Sequence, residues 1–140
     1  MEGNNISKVI AYTDGSFNKR TGMYGYGCVL IGVDTLEFSG SAYDVYGGWQ
    51  IQGELVAALT ACREALKNGY SEIEIRYDYE GVRCWPTGEW RAKKLYTQSY
   101  ANEMRKYMKE MKVTFTHVKA HTGVVGNERA DALAKAACGI

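Results

Sequence analysis

Four carboxylates in this chain stand where they could do chemistry together. Asp14 closes the run Lys8-Val-Ile-Ala-Tyr-Thr-Asp14, whose β-branched and aromatic residues suit a strand buried on both faces. A carboxylate at the end of a central strand sits where α/β sheets bind ligands. The alternative for Asp14 alone is an Asx cap on a Gly15-Ser16 turn. Asp78 likewise ends an apolar strand, Glu72–Tyr77, and parallel strands of one sheet leave their ends side by side. Glu54 heads a helix, on its first turn, where the helix dipole by itself would favour an acid. Asp131 lies one turn beyond Glu128 on the last helix, so the two can share a face.

Acids gathered without as many lysines or arginines repel by ~4 kcal/mol per adjacent pair at an effective dielectric near 20. Cations among them would remove that cost. All-oxygen ligands, with no cysteine cluster and no paired histidines, point to Mg²⁺ or Mn²⁺ rather than zinc. Two such ions ~3.5–4 Å apart are apparatus for phosphoryl transfer by in-line attack of water.

The elements that must position these acids can be read in order. After Asp14, Asn18 to Gly22 is polar and is expected to be a loop. Tyr24–Ile31 reads as a second strand whose glycines predict a bulge or a close backbone approach. Gly32-Val33-Asp34 fits a hairpin, with Thr35–Gly40 returning. Ser41–Gln52 reads as irregular. Leu55, Ala58, Leu59, Cys62 and Leu66 then recur at helical spacing, and Gly69 ends that helix. After Asp78 a short helix runs through Trp85 and is expected to stop at Pro86. Tyr100, Met104, Tyr107, Met108 and Met111 define an amphipathic helix with a lysine-rich outer face; its methionines read as core. Val113–Val118 is the fifth strand, Lys119–Gly126 a loop, and Asn127 is expected to cap a last helix running through Leu133. The expectation is an α/β fold, a five-stranded mixed sheet whose first three strands are antiparallel, covered by about four helices in the order βββαβαβα.

Composition bounds the rest. A chain of 140 residues, 46% hydrophobic and 24% charged, fits one domain, residues 1–140. Seventeen basic against sixteen acidic residues give a net charge of +1, so nucleic-acid binding must rest on a local patch. No secretory signal opens the chain and no run is long enough for a membrane span. Cys28, Cys62, Cys84 and Cys138 show no metal or redox spacing; Cys28 and Cys62 read as small core residues, and a cytoplasmic location is expected.

Thr13-Asp14-Gly15-Ser16, Gly53-Glu54-Leu55, Tyr77-Asp78, His117-Val-Lys-Ala-His121-Thr-Gly and Gly126-Asn127-Glu128-Arg129-Ala130-Asp131 together resemble the ordered motifs of type 1 ribonuclease H. The resemblance covers the chain from about Lys8 to the last helix. Tyr77-Asp-Tyr-Glu-Gly81 and Thr87-Gly-Glu-Trp90 are similar to a bacterial subgroup that often carries an N-terminal hybrid-binding domain. That domain is expected to be absent here, because the sequence opens just ahead of the first strand.

The resemblance implies a metal-dependent endoribonuclease that hydrolyses the RNA strand of RNA–DNA hybrids to 3′-hydroxyl and 5′-phosphate ends, with two Mg²⁺ ions per site for which Mn²⁺ can substitute. Asp14 would bridge the ions, Glu54 and Asp78 would complete the leaving-group side, and Asp131 would help hold the ion carrying the attacking water. His121 would shuttle a proton or help release the cleaved phosphate, unless it is a surface loop histidine. His117, inside a strand and facing away, reads as structural. Glu128 would support the metal shell or simply start the helix; Asn127 reads as an N-cap.

Departures from the family pattern mark the substrate contacts. Many relatives place asparagine a few residues before the helix glutamate, to read the ribose 2′-OH; this chain has Trp49-Gln50-Ile51-Gln52, where Gln50 offers the same hydrogen bonds on a longer arm. Tyr79-Glu80 replaces a small polar residue followed by Asn or Gln. The basic protrusion of the enterobacterial type is shortened to Trp90-Arg91-Ala92-Lys93-Lys94, which by resemblance would carry the DNA strand unless it is a solvated helix end. Expected substrate contacts are thus Gln50, Asn18, Trp90, Arg91, Lys93 and Lys94. Partners implied are the hybrid alone, with no membrane and no required protein partner, the chain acting as a monomer. The rivals are a nuclease of the same fold acting on DNA junctions or double-stranded RNA, and a catalytically silent hybrid-binding module.

Overall fold

The computed structural model describes residues 8–119 and 124–140. Strands β1 (Lys8–Asn18), β2 (Met23–Ile31) and β3 (Thr35–Tyr43) are followed by α1 (Gln50–Lys67), β4 (Glu72–Tyr77), α2 (Gly81–Thr87), α3 (Leu95–Glu110), β5 (Lys112–His117) and α4 (Val125–Ala137). The sheet order is β3-β2-β1-β4-β5. The β1–β2 and β2–β3 pairs are antiparallel, and β1–β4 and β4–β5 are parallel. The expected mixed sheet is therefore present, with α2 and α3 as two separate helices between β4 and β5.

Helices cover both faces. On one side Val9, Ala11, Leu30, Ile73, Ile75 and Tyr77 pack with Leu55, Ala58 and Cys62 of α1 and Tyr100 and Met104 of α3. On the other, Tyr12 and Val29 meet Ala130 and Leu133 of α4. Alternation along β1 places Ala11 toward α1 and Tyr12 toward α4, as a strand buried on both faces requires. Burial pushes the Cys28 and Cys62 thiols up to about 12, so both stay protonated and behave as small apolar core groups. No helix among the described residues is long and apolar enough to cross a membrane.

Several boundaries differ from those expected. β1 does not turn at Gly15-Ser16; it stays paired with β2 as far as Asn18↔Met23. Gly15 serves a close approach instead, because a Cβ there would collide with the α1 backbone at Gln50, Gly53 and Glu54. The glycines of β2 make close approaches of the same kind, Gly25 to the Ala134 carbonyl and Gly27 to that of Ala130. β3 continues past Gly40 to Tyr43. Helix α1 begins at Gln50, a turn earlier than expected, so Glu54 lies in the second turn and the dipole of the first turn does not explain it. Helix α2 runs through Pro86 to Thr87 and ends at Gly88, φ 82°. Pro86 lacks the N–H that would bond the Val82 carbonyl, and that carbonyl instead accepts the Tyr100 hydroxyl at 2.6 Å. Helix α4 starts at Val125 with no side-chain cap. Asn127 is therefore its third residue and not the N-cap.

Candidate active site

The site forms where the parallel strands β1 and β4 stop pairing. Their last paired residues are Tyr12 and Arg76, so Asp14 and Asp78 each stand two residues beyond, at the carboxyl edge of the sheet. Asp14 is half-buried and its Oδ1 accepts the Gly15 N–H at 2.9 Å. Asp78 is fixed through its backbone, since the His117 Nε2 lies 2.8 Å from its carbonyl oxygen. Acceptance by that oxygen requires the Nε2–H form of the ring.

Missing side chains bring the other two acids in. Gly53 rests against the Gly25 carbonyl and the Gly15 Cα, which seats α1 directly on β1 and β2 and carries Glu54 to the strand end. Gly126 rests on the Tyr12 ring, and Gly27 admits the backbone of α4, which carries Asp131 to the same place. Asp14, Gly15, Gln50, Glu54, Asp78, Asn127, Glu128 and Asp131 line one cavity of about 150 Å³.

Burial dominates the electrostatics. Burial is the main cause raising the Asp14 carboxyl above the ordinary range, with the nearby Asp131 adding to it. Glu54, only 4% exposed, is raised well above the ordinary value by burial first and then by Asp14 and Asp78. Its buried Oε1 has no hydrogen-bond partner, a state that buried polar atoms rarely keep without a ligand. Asp131 is held toward Lys135, Oδ2 to Nζ 3.1 Å. Among the described residues no three acids or imidazoles already converge at metal-coordinating spacing; the carboxylates line a shared wall. An orphaned buried carboxylate oxygen among hard oxygen donors fits a divalent Mg²⁺-type cation.

A neighbouring groove of about 420 Å³ shares Gln50, Glu54 and Asp78 with that cavity and adds Ile51, Tyr79, Glu80, Trp90 and His117. His117 is thus exposed at the end of β5 beside the acids, not turned away inside the strand. The Trp90 ring packs edge-on against Trp85 (5.8 Å) and Tyr79 (6.1 Å), so Tyr79 serves this aromatic cluster. Glu80 is exposed and pairs with Arg83 at 3.6 Å. Arg91, Lys93 and Lys94 are exposed in the connection between α2 and α3. Asn18 stands apart from the acid cavity: its amide donates to the Cys138 carbonyl at 2.8 Å and its oxygen accepts the Arg20 N–H at 3.0 Å, tying β1 to the end of α4. His121 lies outside the described residues.

Gly15 and Asn127 line the cavity without having been expected there. The signal for Gly15 was available in the glycines facing it, Gly25 and Gly53. Asn127 had none, because an asparagine before a helical pattern reads as a cap.

The RNase H family model matches residues 6–139, and the chain belongs to the RNase H family. Ribonuclease H of Francisella philomiragia subsp. philomiragia is 33% identical, covering 94% of this chain and 91% of that protein. Ribonuclease H of Francisella tularensis subsp. novicida is similar to the same extent, 33% with the same coverage. Among solved structures, RNase H1 from the halophilic archaeon Halobacterium salinarum NRC-1 matches with a TM-score of 0.80 at 29% identity, over 94% of this chain and 97% of that one. LC11-RNase H1, solved in complex with an RNA/DNA hybrid, shares the fold with a TM-score of 0.77 at 23% identity, over 93% and 96%.

Proposed function

We propose that this chain is a divalent-metal-dependent endoribonuclease that hydrolyses the RNA strand of RNA–DNA hybrids, leaving 3′-hydroxyl and 5′-phosphate ends. The observation that carries the reading is the cavity lined by Asp14, Glu54, Asp78 and Asp131, with Glu54 Oε1 buried and unpartnered inside it, in a chain of the RNase H family. A surface built only to bind phosphates would gain nothing from carboxylates that repel them, which weighs against a silent binding module.

Asp14, Glu54, Asp78 and Asp131 would hold two Mg²⁺ ions, which when bound supply water activation at neutral pH and neutralisation of charge on the transferring phosphoryl group. The protein's own part is positional. The glycine contacts of α1 and α4 fix where Glu54 and Asp131 stand relative to β1, and the His117 bond holds the Asp78 backbone. Burial of Glu54 keeps competing water away from its Oε1. Gln50, exposed and shared by cavity and groove, can donate to or accept from a ribose 2′-OH, the group that distinguishes RNA from DNA. His121 would hand a proton to the leaving group or aid product release. LC11-RNase H1, bound to an RNA/DNA hybrid, supports the same substrate class here.

The test is to incubate end-labelled RNA–DNA hybrid, duplex RNA and duplex DNA with the protein in Mg²⁺ and then in EDTA. Cleavage of the hybrid's RNA strand alone, abolished by EDTA, is expected. Cleavage of duplex RNA or DNA at comparable rate would overturn the substrate assignment, and binding of hybrid without cleavage would overturn the enzyme.

A further inference from the structure

One backbone position in the described residues is out of keeping with its side chain. Trp49 has φ 54°, ψ −134°, and it is the only non-glycine there with positive φ. Those angles are the mirror image of the first central position of a type II turn, the type II′ geometry that glycine occupies. A residue carrying a Cβ is strained in it. The chain has glycines at hand, Gly47 and Gly48 immediately before, yet sets tryptophan at the one position where a side chain is penalised.

The surrounding connection is built to hold that conformation. The Asp44 carboxylate accepts the Gly48 N–H at 2.9 Å and the Trp49 N–H at 2.7 Å. The Asp44 N–H in turn bonds the Gly22 carbonyl at 3.0 Å. Tyr46 stacks on Tyr96 of α3, 5.9 Å between centroids at 21°, and Gly48 leaves room for the Tyr96 ring. Trp49, by contrast, is 60% exposed and its ring has no ring partner among the described residues. Packing therefore does not account for it. The next residue, one Cα step of ~3.8 Å away, is Gln50 on the wall of the acid cavity.

Strain over-determined by its surroundings and spent on an exposed side chain at the edge of a site is the pattern of a ligand contact. We propose that Trp49 is a substrate-binding residue: its indole packs on a sugar of the RNA–DNA hybrid at the rim of the acid cavity, beside Gln50. The inference rests on the hybrid reading above. Bases inside a paired hybrid are covered by their stacked neighbours whereas its sugars are open, so the contact adds affinity without reading sequence. It also adds affinity without charge, which suits a chain of net charge +1 and separates Trp49 from the basic segment at Arg91–Lys94.

The test measures affinity for uncleaved RNA–DNA hybrid across a salt series, with the Asp14→Asn protein as parent and Trp49→Ala, Trp49→Phe and Trp49→Gly added to it. Trp49→Ala should weaken binding about 5-fold or more, the scale of loss when a contacting aromatic is truncated, with the log–log salt slope unchanged because no phosphate contact is lost. Trp49→Phe should restore most of the loss. Trp49→Gly should lose affinity as alanine does, while melting at or above the parent temperature, since glycine takes this φ without strain. Equal hybrid affinity in parent and Trp49→Ala would overturn this inference alone, as would a flattened slope or a lower melting temperature for Trp49→Gly. A parent that binds no hybrid would overturn both this inference and the function on which it rests.

Discussion

Replacing Glu54 by glutamine should stabilise the protein in the absence of divalent metal. Glu54 is buried with an unpartnered Oε1 and faces Asp14 and Asp78, which raise its carboxyl further. Two ionised carboxylates about 4 Å apart repel by ~4 kcal/mol at an effective dielectric near 20. Proton uptake by the pair relieves part of this at neutral pH, so a gain of about 1–2 kcal/mol is expected from the same Coulomb scale. For a chain of 140 residues that is a rise in Tm of roughly 3–7 °C.

The pH dependence carries the sign. A carboxyl whose folded pKa is raised binds protons more tightly folded than unfolded, so its stabilising contribution is complete below the ordinary values, 3.8 for Asp14 and 4.5 for Glu54. That contribution is lost as pH rises through the elevated folded values. Wild type in EDTA should therefore lose stability relative to Glu54→Gln between acid and neutral pH, and the difference should close on acidification. Added Mg²⁺ should stabilise wild type by mass action and the variant much less. The assay is thermal denaturation of both proteins at several pH values, with EDTA and with Mg²⁺. A variant that melts below wild type at neutral pH in EDTA would instead make Glu54 a satisfied structural acid.

Other outcomes are equally direct. His121→Ala should slow cleavage by about 10²–10⁴-fold without abolishing it, as expected of a proton-transfer group; equal single-turnover and steady-state rates in mutant and wild type would remove the histidine from the mechanism. Replacing Arg91, Lys93 and Lys94 by alanine should weaken hybrid binding at low salt and flatten the log–log salt dependence, by roughly 0.9 per phosphate contact on duplex DNA. An unchanged slope would place the DNA strand elsewhere. Tyr100→Phe should cost about 1–3 kcal/mol by leaving the buried Val82 carbonyl unbonded, a fall in Tm of roughly 3–10 °C at this chain length, and an unchanged Tm would show that Pro86 needs no such compensation.

The acidic set and the sheet were legible because each acid follows a strong local pattern. Asp14 and Asp78 end apolar runs, and Glu54 and Asp131 sit on helices of clear period. What sequence alone misplaced were features decided by distant partners. Gly15 reads as a turn residue until Gly25 and Gly53 are set opposite it, when it becomes the space that α1 occupies. Asn127 reads as a cap because the true start at Val125 has no capping side chain to mark it. Pro86 reads as a stop unless a hydroxyl 14 positions on, at Tyr100, takes the carbonyl it abandons. His117 alternates like a strand residue but falls at the strand's last position, where the Asp78 carbonyl is within reach. Trp49 gave no local sign of its backbone angles, since nothing in a tryptophan's neighbours announces a positive φ.

The most direct measurement is the rate of hybrid cleavage by Asp14→Asn at saturating Mg²⁺, beside its melting curve. Asparagine keeps the acceptor for the Gly15 N–H and removes the charge at the centre of the four acids. Folding should be kept while turnover falls by several orders of magnitude, more than the roughly 10²–10⁴-fold of a proton-transfer residue. Near-normal cleavage of the RNA strand by a folded Asp14→Asn protein would contradict this, and the chemistry of this chain would have to lie outside the cavity that Asp14, Glu54, Asp78 and Asp131 enclose.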